Sequence, residues 1–187
     1  RFKYFGKSLL ANGGEISYHG YNHQPLTPKG VDYGDEFPTY KTWKDKKAMA
    51  SAISELLRFT KELFPKGEKS IYIPPSNVLS KEGRQVLREK FPEIKSIASN
   101  YFPGKFTYSQ EFEVADDGMI EQPRIVSGAS WDAYSKLTVF SELNMHYVTT
   151  HFLHPDDVLD EDRGAKLGWP KLYKDFQNEI ESLYKVV

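Results

Sequence analysis

Residues 15–26 read EISYHGYNHQPL, Glu15 to Leu26. Apolar and polar side chains alternate over Glu15–His19, the two-residue period of a half-buried strand. Gly20 then opens a loop that runs to Thr39 and is punctuated by Pro25, Pro28, Gly30, Gly34 and Pro38. A strand therefore ends on one histidine, His19, and a second, His23, follows four residues later.

Working outward, the rest of the chain supplies more strands of this kind, separated by helices. Upstream, Phe2, Phe5, Leu9 and Leu10 stand at helical spacing over residues 2–12, and Gly13-Gly14 supplies the stop. Downstream, Thr42 caps a predicted helix over 43–64 whose apolar stripe is Met49, Ile53, Leu56, Leu57 and Phe64. Pro65-Lys66-Gly67 ends it. Ser70–Ile73 reads as a strand running into Pro74-Pro75. Ser80 caps a helix carrying Val86, Leu87 and Phe91, and Ile94–Ala98 reads as the next strand. Phe106–Val114 and Met119–Val126 form a predicted hairpin around Ala115-Asp116-Asp117-Gly118. A helix at Asp132–Leu143, a strand at His146–His151 and a helix over Pro170–Lys185 complete the chain. Helices alternating with strands predict an α/β fold with mainly parallel strands. Chemistry in such folds gathers at the carboxyl ends of strands, where His19, Pro74 and His151 are expected.

Composition narrows the classes. With 187 residues the chain fits one domain and can bury a real core. Its net charge of -1, with 27% charged residues of mixed sign, gives no pull toward nucleic acid or an anionic membrane surface. No apolar run approaches the ~20 residues of a membrane span. There is no cysteine, so any metal must be held by histidine and carboxylate. Aromatic residues make up 14%, which serves a core and would also serve a glycan-binding cleft. The chain opens on Arg1, with neither an initiator Met nor a signal peptide, and reads as a piece of a longer protein.

Three stretches carry candidate chemistry. The His-x-x-x-His spacing of His19 and His23 brings two imidazoles within reach of one ion at ~2.0–2.1 Å. It also suits an ordinary polar loop; the strand end, the Gly-containing turn and the flanking aromatics and Pro favour the metal. A third ligand is then required, and Asp32, Asp35 and Glu36 follow in the loop. In the second stretch, His146–Asp157, a strand-end His151 suits a general acid, since an imidazole can give a proton near neutral pH. His154-Pro155 also reads as a helix start, with Asp156 and Asp157 favouring its N-terminus. The third stretch, Ile71–Ser80, makes a rigid double-proline corner, placed to wall a substrate groove.

Taken in order, these stretches resemble the NodB-homology polysaccharide deacetylases, carbohydrate esterase family four. His19-Gly20-Tyr21-Asn22-His23 is similar to that family's His-Ser/Thr-x-x-His metal motif. Ile73-Pro74-Pro75-Ser76 stands for its Arg-x-Pro-Tyr-like segment, and Thr149-Thr150-His151 for its Leu-x-His strand. The preceding NGGEISYHGYNH run fits as well, and the resemblance covers nearly the whole chain. It implies a distorted (β/α) barrel with an inserted β-hairpin, in a divergent bacterial branch of the superfamily. It implies a divalent ion, zinc, on His19 and His23, and a general acid at His151 or His154. A substrate wall of Pro74, Pro75, Asn77 and Trp131 would complete the site. Three departures matter. The family's Asp-Asp motif, which supplies the base and the third metal ligand, would precede residue 1. Ile73 replaces the Arg of the third motif, and Trp131-Asp132 is all that stands for the Asp-x-x-x-Asp-Trp motif.

The implied activity is metal-assisted removal of N-acetyl or O-acetyl groups from an acetylated polysaccharide or oligosaccharide, at an extracellular or cell-envelope address. With residues 1–187 alone, weak metal binding and little turnover are expected. Two other readings stand beside it. His154-Pro155-Asp156-Asp157 resembles the His-Pro-Asp-Asp-Glu motif of LmbE-like N-acetylglucosamine deacetylases, although Val158 follows where those have Glu. A non-catalytic glycan-binding or scaffold domain derived from the same barrel is the rival from another class.

Overall fold

The computed structural model describes residues 2–28, 42–66, 70–99 and 111–186. The chain divides into two compact units, Arg1–Pro123 and Arg124–Val187.

Unit 1 is a mixed α/β layer. Its helices are α1 (Phe2–Ala11), α2 (Lys46–Leu63) and α3 (Lys81–Lys90). Its strands are β1 (Ile71–Tyr72), β2 (Ser96–Ile97), β3 (Glu113–Val114) and β4 (Ile120–Glu121), in the order β1-β2-β4-β3. β1, β2 and β4 run parallel, and β3 pairs antiparallel with β4. Tyr18 extends the sheet on the β1 side by a parallel bridge to Tyr72. Its N–H donates to the Ile71 carbonyl at 3.0 Å, and the Ile73 N–H donates to the Tyr18 carbonyl at 2.7 Å. The parallel segments thus lie side by side in chain order: Tyr18, β1, β2, β4.

The core of this unit lies between sheet and helices. Tyr18, Leu26, Met49, Ile53, Tyr72, Leu87, Ile94 and Ile97 are all buried in one cluster. The α2 stripe expected from the sequence supplies Met49 and Ile53, with Leu56 and Leu57 packed at its edge. The cap differs from expectation. Asp45, not Thr42, opens α2, its carboxylate accepting from the Ala48 N–H at 2.8 Å. Ser80 caps α3 as expected, accepting from the Gly83 N–H at 2.9 Å, and its hydroxyl donates to the Leu26 carbonyl at 2.9 Å. The α1 stripe faces water at Phe5 and Leu9; this helix lies against the Phe64 ring through Gly6 instead.

The β3–β4 hairpin turns at Ala115–Gly118 as expected, with Gly118 at φ +83°. Arg84 of α3 ties the hairpin down. Its Nε and Nη2 donate to the two Asp117 oxygens at 2.7 Å each, and Nη1 donates to buried Glu121. Most of the expected strand over Phe106–Val114 lies outside the described residues. The expected strand Met119–Val126 breaks in two, because Pro123 has no N–H to give a ladder.

Unit 2 is built on a βαβ segment: β5 (Val126–Ser127), α4 (Ala133–His146) and β6 (His151–Phe152), with β5 and β6 parallel. A short helix α5 (Asp156–Leu159) and the long α6 (Trp169–Tyr184) follow. Val126, Trp131 and Val139 are its buried cluster. Asp132 caps α4 by accepting from the Ser135 N–H at 2.7 Å. The strand expected at His146–His151 is corrected here. The helix continues to His146 and closes on Tyr147, left-handed at φ 59° with its N–H on the Leu143 carbonyl. His151 is consequently the first residue of β6, not the last of a longer strand. Among the described residues the two sheets do not close into a barrel, and no helix is long and apolar enough to cross a membrane.

Candidate functional site

The histidine pair forms at the carboxyl edge of the unit 1 sheet. Tyr18 is locked beside β1, so the next residue, His19, leaves the sheet where β1 gives way to Pro74. The His19 Nδ1–H donates to the Ile73 carbonyl at 2.9 Å. That bond selects the tautomer, placing the imidazole lone pair on Nε2. A backbone carbonyl on the far nitrogen is the usual support of a metal-ligating histidine.

The turn then brings His23 back. Gly20 (φ 71°), Asn22 (φ 52°) and His23 (φ 53°) are all left-handed, and the Gln24 N–H closes onto the Tyr21 carbonyl at 3.1 Å. The two imidazoles end 4.8 Å apart between centroids, edge to face at 80°. Both side chains are exposed. Two rings so placed can offer a nitrogen each to one cation.

Pro74 and Pro75 are buried and back this turn. A Cβ on Gly20 would sit 2.4 Å from the Pro75 Cγ, so the loop lies directly on the proline corner. Ser76 (φ 50°) and Asn77 (φ 60°) are left-handed too. The Asn77 carbonyl accepts from the hydroxyl of fully buried Ser99 at 3.4 Å. Two facing loops thus hold four non-glycine residues in a conformation costing of order 1 kcal/mol each. Such strain persists only where the surroundings enforce it. The prolines therefore act as the rigid backing of the histidine turn.

Among the described residues no group of three histidines and carboxylates gathers to hold an ion. The loop carboxylates Asp32, Asp35 and Glu36 lie outside the described residues. Two imidazoles are a donor pair that a divalent ion could use, and with no cysteine in the chain a carboxylate or a further histidine would have to complete a set.

The other candidates belong to unit 2. The His151 ring is held on three sides. Its Nε2–H donates to the Gly128 carbonyl at 2.6 Å, Trp131 meets it edge-on at 5.2 Å, and Phe176 lies at 5.7 Å. Trp131 is 6% exposed and belongs to the unit's core, which is where its contact with His151 is made. His154 is the more open imidazole. Its backbone N–H donates to the Asp157 carboxylate at 2.8 Å, the helix-start arrangement the sequence allows.

His154 also lines a feature the sequence reading missed, an open pocket of about 330 Å³ whose other walls include Leu153, Leu172, Trp169, Tyr173 and Phe176. The aromatics at 169, 173 and 176 follow helical spacing on α6. The wall they complete comes from separate segments, which periodicity does not register. Arg124 was also missed; its guanidinium packs over the Phe152 ring at 4.5 Å.

A family described as an uncharacterised protein conserved in bacteria (DUF2194) matches residues 2–187. No curated protein and no solved structure matches the chain.

Proposed function

The chain belongs to the DUF2194 family, and we propose that it is a metal-dependent carbohydrate deacetylase domain, removing acetyl groups from an amino-sugar polymer. The observation that carries this reading is the pair His19 and His23, 4.8 Å apart, with His19 anchored through Nδ1 to the Ile73 carbonyl. Its place at the carboxyl edge of parallel segments arranged in chain order supports a distorted (β/α) barrel, since that order is the one a barrel repeats.

The chain's own residues do the positioning. Ile73 fixes the tautomer and orientation of His19. Gly20 lets the turn lie on Pro75, and the left-handed His23 turns its ring back toward His19. A divalent ion held there would polarise an acetyl carbonyl and lower the pKa of its water to ~7. Zinc fits the donor type best, because imidazole is a favoured ligand and the ion accepts a low coordination number.

The test is zinc binding by calorimetry together with acetate release from an N-acetylated glucosamine oligomer, using the protein at its natural length. His19→Ala and His23→Ala are expected to abolish both. Zinc binding unchanged in both variants would overturn the reading, and the non-catalytic glycan-binding domain would take its place.

A further inference from the structure

We propose that the pocket of unit 2 binds the hydrocarbon chain of a single-chain amphiphile, taken up from water with its head group left outside. It needs nothing from the histidine pair of unit 1. Every wall belongs to unit 2: Ala129, the segment from Leu153 into α5, and the first turns of α6. The site is therefore complete within one compact unit.

The lining decides the polarity of the occupant. Leu153, Val158 and Leu172 are aliphatic, and Trp169, Tyr173 and Phe176 supply rings. Among the described residues no Lys, Arg, Asp or Glu lines the pocket. His154 does, but its Nδ1 faces the Asp157 carboxylate at 3.8 Å. A charged or hydroxyl-rich ligand would give up water here for few partners, which is costly. A hydrocarbon chain gives up nothing of the kind and gains with each methylene removed from water. The wall it would cover stands open with the helix already in place. Leu172 is buried and fixes α6 to the interior of the unit, yet Trp169 remains 62% exposed and Tyr173 47%. Their rings overlap at 5.5 Å and 31°, so each holds the other as part of one wall.

Size then separates a chain from other apolar occupants. The six carbons of benzene fill an apolar cavity of ~150 Å³. At about 330 Å³ this pocket therefore has room for roughly ten to twelve carbons, scaled from that case. One leucine or phenylalanine side chain from a partner protein would leave more than half of it empty. A bilayer surface is the wrong match too, because peripheral binding draws on lysine and arginine beside the apolar face, and the lining has neither. The pocket is open on one side, so a polar head attached to the chain keeps its water.

The test is a calorimetric titration of the protein at its natural length with straight-chain alkanoates from hexanoate to tetradecanoate, each below its micellar concentration. Saturable binding is expected, tightening about three- to fourfold per added methylene and levelling off near roughly ten to twelve carbons. Trp169→Ala, which removes part of the wall, should weaken decanoate binding about tenfold or more. Val158→Phe, which adds a ring to the lining, should bring the levelling off at a shorter chain. His19→Ala should change neither. Circular dichroism of each variant establishes that α6 is intact. The proposal is overturned if no alkanoate binds saturably, if affinity does not follow chain length, or if either pocket variant keeps the profile of the parent. It is also overturned if phosphatidylcholine vesicles sediment the protein while the free alkanoates fail to bind, since the surface would then serve a membrane.

Discussion

The Nδ1 of His19 lies 2.9 Å from the carbonyl oxygen of Ile73, across 54 residues of chain. The contact follows from the parallel bridge of Tyr18 to Tyr72, which sets the two strand ends level. An imidazole oriented from behind by a backbone carbonyl is prepared to ligate from its other nitrogen.

Gly20 is the residue on which this arrangement turns. Its φ of +71° disfavours any side chain, and a Cβ would meet Pro75 at 2.4 Å. Gly20→Ala is therefore expected to shift the histidine turn and weaken zinc binding by roughly 10- to 100-fold, the range seen when ligand supports are removed. Gly118→Ala is the control. Its φ is +83°, but a Cβ there meets nothing within 4 Å, so it should lower stability and leave zinc affinity unchanged. Calorimetry on both variants reads the difference.

Gly83 presents two opposed effects. Alanine is the better helix former by ~1 kcal/mol, yet its Cβ would lie 2.2 Å from the Leu26 carbonyl oxygen, a backbone atom that cannot swing away. Overpacking of that kind costs about 1–3 kcal/mol, and the α3 cap at Ser80 leans on the same carbonyl. Gly83→Ala should therefore lower the denaturation midpoint; a raised midpoint would mean that α3 stands off from Leu26.

Tyr72 is fully buried in the core of unit 1, and its hydroxyl has no hydrogen-bond partner among the described residues. Burial pushes its ionisation well above the usual phenol range. Removing an unsatisfied buried hydroxyl relieves a penalty of about 1–3 kcal/mol, so Tyr72→Phe is expected to raise the thermal midpoint. A fall would reveal a partner for that hydroxyl.

Asp117 should govern acid stability in the hairpin. Its hydrogen bonds with Arg84 hold its pKa down at about 2, below the usual carboxylate range. A carboxylate depressed on folding contributes stability above its unfolded pKa and loses it as pH falls through the folded value. Unfolding midpoints of the parent should therefore drop between about pH 4 and pH 2. Asp117→Asn should be less stable at neutral pH and show a smaller drop over that window.

Much of the helical frame was legible in the sequence because caps and stripes are local signals. Ser80 and the Val86–Leu87 face of α3 are examples, and so is the Ala115–Gly118 turn. Asp45 caps α2 where Thr42 was expected because the helix begins at Lys46, and the side chain three residues before Ala48 is the one that reaches its N–H. The strands were overextended, since alternation persists in residues that have no ladder partner. At His146 helix propagation through Met145 overrode it, and the left-handed Tyr147 then breaks the extended run. The histidine pair was visible from spacing, but its support by Ile73 was not, because no local pattern joins residues 54 apart. The same limit hid the Arg84–Asp117–Glu121 network and the aromatic pocket, and it gave Trp131 a binding role where the structure places it in a core.

The most direct measurement is a zinc titration of the protein at its natural length and of its His19→Ala, His23→Ala and His151→Ala variants, read by calorimetry. One ion per chain is expected, lost with either residue 19 or 23 and retained when residue 151 is replaced. An ion bound equally well by all four proteins, or by none of them, would contradict a metal centre built on His19 and His23.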